Sequence, residues 1–96
     1  MEQTYRITGS GTRDSFLARA VTAILSREAD FEEAIKQKSI GIYLCEDIGT
    51  IVKVGGESGN PVRICIYGGD REVVNITAEK VQRALNKGDF RLEALN

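Results

Sequence analysis

Tyr5 and Ile7 alternate with Thr4, Arg6 and Thr8 near the start of the chain, so residues 3–8 predict a half-buried strand. Gly9-Ser10-Gly11 breaks that pattern, and Thr12 suits a helix N-cap. Phe16, Leu17, Ala20, Val21, Ile24 and Leu25 then recur at helical spacing and predict an amphipathic helix over 13–27. Asp30 and Glu33 have the spacing of a capping box, which predicts a second, shorter helix with Phe31, Ala34 and Ile35 on its apolar side. From Ile40 the character changes. Seven of the ten glycines fall between 41 and 69, with β-branched residues clustered between them. Strands are expected at about 40–46, 50–55, 61–67 and 72–76. The links are Asp47-Ile48-Gly49, Gly56-Glu57-Ser58-Gly59-Asn60 and Gly68-Gly69-Asp70-Arg71, short enough for antiparallel hairpins. Thr77 would cap a last helix over 78–87, with Val81, Ala84 and Leu85 facing in and Gly88 ending it. Phe90 and Leu92 alternate in the tail as an edge strand. The expected fold is α+β: a single small domain over 1–96, in the order β-α-α-β-β-β-β-α. Its sheet is mostly antiparallel, of four to six strands, with helices packed on one face.

Strand parity gives that sheet two unlike faces. One set is Ile40, Ile42 and Leu44 with Val52 and Val54, then Val62, Ile64 and Ile66, then Val74 and Ile76. All are aliphatic, so this face is the expected core. The opposite set is Tyr43 and Cys45, Ile51 and Lys53, Arg63, Cys65 and Tyr67, with Val73 and Asn75. Tyrosine, arginine and asparagine among apolar side chains match the make-up of a binding patch. The alternative is that the tail or the sheet's own twist covers this face.

Composition removes much chemistry. There is no histidine, so a histidine base, histidine metal sites and catalytic triads are excluded. Two cysteines cannot build a zinc quartet. No nucleophile–base pair stands out, so no enzyme, metal or cofactor is expected. Thirteen basic and fourteen acidic residues give a formal charge of −1, spread without blocks, which makes nucleic acid a less favoured partner. The start of the chain lacks a basic, then apolar leader, and no apolar run is long enough for a membrane span. A cytoplasmic protein without a membrane partner is therefore the expectation. In that compartment Cys45 and Cys65 are expected to be small buried residues, not a disulfide.

The loop Gly9-Ser10-Gly11-Thr12-Arg13 lies between a strand and a helix start. Free N–H groups, the helix dipole, two hydroxyls and a guanidinium make such a place suitable for an anion. It is neither a P-loop nor a dinucleotide fingerprint, and a tight turn with an N-cap explains it equally. Together with Tyr43, Arg63, Tyr67 and Asn75 these residues form the candidate ligand set.

Gly59-Asn60-Pro61-Val62-Arg63-Ile64-Cys65-Ile66 resembles a strand of the carbon-storage-regulator family of RNA-binding proteins, and Glu72-Val73 and Gln82-Arg83 are also similar. The likeness covers under a third of the chain. Where that family carries paired arginines, this chain has Glu46-Asp47, and Thr77-Ala78 replace the arginine before the last helix. Membership is not assigned. The sequence favours a non-enzymatic binding protein that senses or sequesters a small anionic ligand as a homo-oligomer. A nucleotide or nucleotide-derived signal molecule is the expected class, in the manner of phage sequestering proteins. The alternatives are an RNA-binding regulator and an oligomeric interaction subunit with no small ligand.

Overall fold

In the computed structural model, residues 1–9, 14–37, 40–56 and 61–95 are described. Strand β1 (Glu2–Gly9) leads to helix α1 (Asp14–Ser26), followed by β2 (Glu32–Gln37), β3 (Ile40–Cys45), β4 (Thr50–Gly55) and β5 (Arg63–Tyr67). Helix α2 (Arg71–Leu85) and one turn of 3-10 helix, Asn86–Gly88, precede β6 (Phe90–Leu95). The six strands form one sheet in the order β2-β3-β4-β5-β1-β6, and every neighbouring pair is antiparallel. The α+β class, the antiparallel sheet and the helices on one face agree with the sequence pattern.

Both helices press on the same face. Leu17, Val21 and Leu25 of α1 and Val74, Val81 and Leu85 of α2 are buried with Tyr43, Val52, Val54, Ile64 and Ile66 of the sheet. Among the described residues each buried polar side-chain atom of this core has a hydrogen-bond partner. The Thr77 hydroxyl donates to the Val73 carbonyl at 2.8 Å and accepts from Thr50 Oγ1 at 2.7 Å, so a buried hydroxyl pair pins α2 to β4.

Two segments differ from the expected type. Residues 30–35 were expected to be helical, but Glu32–Gln37 is an edge strand. Phe31, Ala34 and Ile35 supply a single apolar turn, too little to nucleate a helix, whereas β3 offers a ladder of backbone partners. Asp30 does not act as a helix cap there; its carboxylate accepts from Lys80 Nζ at 3.1 Å. The β-branched run at 72–76, expected as a strand, is the start of α2. Asp70 is the true N-cap, its carboxylate accepting from the Val73 N–H at 3.0 Å. Val74, Thr77, Val81, Ala84 and Leu85 then fall on one buried helical stripe.

Parity is also reversed in β3. Tyr43 and Cys45 face the helices, while Ile40, Ile42 and Leu44 face away. The cause is one residue of loop. A link of Asp47-Ile48-Gly49 would pair Glu46 with Thr50. The observed turn also includes Glu46: the Gly49 N–H donates to the Cys45 carbonyl at 2.9 Å, and Cys45 pairs with Thr50. Gly49 takes φ 74°, a conformation glycine adopts readily. A shift of one residue turns every side chain of a strand to the other face. Gly41 accommodates the result, since a Cβ there would lie 2.8 Å from the Tyr43 ring and 2.9 Å from Thr22 Cγ2.

Candidate functional site

The helix-free face of the sheet is a grid whose rows follow from the strand register. One row runs Glu32, Leu44, Ile51, Tyr67, Glu2. The next runs Ile35, Ile42, Lys53, Cys65, Thr4, Leu95. The third runs Gln37, Ile40, Gly55, Arg63, Arg6, Glu93. No described helix lies over this face. The tail is strand β6, beside β1 in the plane of the sheet, and does not cover it.

Between Glu32 and Gln37 at its outer corners and Lys53 at its inner side, the β2–β4 half is aliphatic. Ile35 is 45% exposed and Ile51 42%, with Ile40, Ile42 and Leu44 half-buried beside them. Lys53 stands in the middle row, and Arg63 is its diagonal neighbour on β5. Among the described residues neither takes part in a salt bridge. Arg6 lies directly opposite Arg63, a like-charge pairing that is relieved on one side only. Its guanidinium donates to Glu93 Oε1 at 2.6 Å, and that bond holds the Glu93 carboxyl below its ordinary range. Gly55 leaves a gap between Ile40 and Arg63, because a Cβ built there meets nothing within 4 Å. Tyr67 borders the cations on β5 and is 36% exposed.

The sequence-derived candidates divide between several places. Arg63 and Tyr67 share the open face. Tyr43 does not: it is fully buried, its hydroxyl donating to the Thr22 carbonyl at 3.0 Å and lying 3.1 Å from Ser26 Oγ. Burial, opposed by the Ser26 hydrogen bond, raises its phenol pKa. Asn75, expected beside Val73 on a strand, is instead exposed on α2, and the second sheet face loses both. Gly9 ends β1 with φ 100°, and a Cβ on it would lie 2.5 Å from the Asp89 carbonyl oxygen. Turn geometry therefore accounts for Gly9. Ser10, Gly11, Thr12 and Arg13 lie outside the described residues, as do Glu57, Ser58, Gly59 and Asn60 of the second glycine loop. Cys45 is buried under the helices and Cys65 is half-buried on the open face, both as free thiols.

Lys53 and Gly55 were missing from the candidate set although both are placed on this face by simple alternation from Ile51. A second cationic place was not legible at all. Arg19 and Thr22 of α1 and Lys36 and Gln37 of β2 line a shallow recess at the sheet edge. Two of its four lining residues come from Glu32–Gln37, a strand where a helix was expected. Among the described residues no three acidic or cysteine side chains are grouped to hold a metal ion, and no helix is long and apolar enough to cross a membrane.

No known protein family, curated protein or solved structure matches the chain.

Proposed function

We propose that this protein binds a small anionic ligand on the open face of its sheet without transforming it, and does so as a homo-oligomer. The observation that carries the reading is the Lys53–Arg63 cation pair, which has no acidic partner among the described residues, beside Tyr67 and the gap at Gly55. Two cations attract a phosphate-like group, and Arg63 can grip it through two parallel N–H donors. A tyrosine face accepts a flat ring, and aliphatic neighbours exclude water from it. A nucleotide or nucleotide-derived signal molecule combines both parts. Sensing or sequestration needs nothing further.

Isothermal titration with a panel of nucleotides tests the reading. Arg63→Ala should weaken binding by about 1.5–3 kcal/mol, the range for hydrogen bonds to charged groups. Arg19→Ala and Lys36→Ala should leave affinity unchanged. The opposite pattern would move the ligand to the recess between α1 and β2. Binding of no anionic ligand by the wild type would reject the reading.

A further inference from the structure

An apolar field of Ile35, Ile40, Ile42, Leu44 and Ile51 lies on the open face, with no described element over it. We propose that a second copy of this chain covers it, face to face, and that an anion held between the two Lys53 ammonium groups closes the pair. The proposal rests on the anion site described above and adds the partner that completes it.

The grid decides how two copies meet. A two-fold axis that brings two sheets face to face lies in the plane between them. An axis along the strands through the middle of the sheet would set the apolar β2–β4 half against the charged β1 and β6. An axis across the strands, along the row from Ile35 to Leu95, sets each strand over its own copy and exchanges the two outer rows. Ile51 then comes over the gap at the partner's Gly55, and Leu44 over the partner's Ile40. Tyr67 faces the partner's Arg63 across the space in which a ligand's flat ring stacks between tyrosine and guanidinium. Glu2 meets the partner's Arg6, an acid against a base. The face is self-complementary in shape and charge.

One contact in that arrangement is unfavourable. The middle row meets itself, so Lys53 faces the partner's Lys53. The strands β4 and β5 are the two central ones, and the usual angle of about 30° between packed sheets displaces central positions least. Two ammonium groups brought together out of water repel strongly unless an opposite charge joins them. The surface available adds little margin. Six strands of five residues give a footprint of roughly 500 Å² from strand spacing and rise, before side-chain relief. A standard interface uses about 800 Å² of accessible surface per partner. A pair this modest stays apart until an anion bridges the lysines, and binding and assembly become one event. Edge-to-edge pairing competes poorly. The register of β2 shifts between Glu33 and Ile35, and such a bulge with Glu32, Glu33 and Lys36 around it blunts an edge.

Light scattering with inorganic pyrophosphate as the probe tests this. The wild type should run at its chain mass of 10.5 kDa alone and at twice that with pyrophosphate. Lys53→Met should double its mass without any anion, because the repulsion is gone. Gly55→Val should fold normally and remain single under both conditions. A short bis-maleimide should join two chains through Cys65, which lies in the self-opposed row, only when pyrophosphate is present. Calorimetric binding of pyrophosphate by a wild type that stays single overturns the shared site and leaves the ligand reading intact. No binding, with Lys53→Met also single, overturns both. A wild type already double without anion overturns the gating by the lysines.

Discussion

Tyr43 and Tyr67 stand on strands two places apart in the same sheet, on opposite faces, and the sheet treats them differently. Beneath the helices every buried side-chain polar atom among the described residues is matched: the Tyr43 hydroxyl meets a carbonyl and a serine, and Thr50 meets Thr77. On the open side Lys53 borders aliphatic side chains and has Arg63 as its diagonal neighbour, and neither takes part in a salt bridge among the described residues. The covered face has been solved within the chain by pairing each polar group and filling the rest with carbon. The open face combines the same two kinds of material, yet leaves two cations without a salt bridge among the described residues and carbon uncovered. A fold needs the first arrangement to be stable. It has no need of the second, which is why the open face is where function is sought.

The sharpest break in that contrast is to truncate each tyrosine in turn. Tyr43→Ala should cost about 3–5 kcal/mol in denaturant melts, as for a buried aromatic. Tyr67→Ala should cost under about 1 kcal/mol, because it removes only an exposed cross-strand contact. Equal losses would make the open face a second core. Next is the buried hydroxyl pair. Thr77→Val leaves Thr50 without its acceptor and should cost about 1–3 kcal/mol. Adding Thr50→Val should recover part of that loss, since two matched apolar groups replace an orphaned donor. A double variant less stable than the sum of the singles would show that the pair does more than satisfy itself.

Asp70→Ala tests the helix start that replaced an expected strand, and should cost about 1 kcal/mol. The smallest effects are in titration, where two exposed glutamates should move in opposite directions. A hydrogen bond and charge repulsion from Glu32, then slight desolvation and Asp47, raise the Glu46 carboxyl. Its contribution to stability is therefore present below the unfolded pKa and is lost as pH rises through the folded one. The Arg6 hydrogen bond, with the charge of Arg6 behind it, lowers Glu93. Its contribution is present above the unfolded pKa and is lost as pH falls through the folded one. Side-chain carboxyl NMR across the acid range should show the two on either side of ordinary glutamates. Glu32→Gln should bring Glu46 down, and Arg6→Ala should bring Glu93 up.

The chain states its fold class more clearly than its faces. Long amphipathic periodicity made α1 legible, and alternation made β1, β4 and β5 legible, because each burial pattern repeats over several residues. The start of α2 was hidden since Val73-Val74-Asn75-Ile76-Thr77 satisfies strand preference locally, while its helical stripe continues only beyond Thr77. The parity of β3 turned on whether Glu46 belongs to the strand or the turn, which no periodicity encodes. That one residue decided whether Tyr43 or Leu44 belonged to the open face. Arg63 and Tyr67 could be placed there together because both lie within one uninterrupted strand. The recess of Arg19 and Lys36 joins α1 to the next element, whose strand type the capping-box spacing concealed, so no local pattern announces it.

The position of β1 has a consequence for how the molecule is made. The first strand of the chain sits inside the sheet, between β5 and the final strand, and Arg6 is tied to Glu93 across 87 positions. While the chain is being synthesised, β2 to β5 can zip up as successive hairpins, but β1 must wait for β5 to gain its first partner and for β6 to gain its second. Closure of the long loop precedes its reward, the condition that slows folding most at a given size. Loss of the terminal six residues would therefore do more than trim an edge: β1 would become an edge, late to form and open to a stranger's strand.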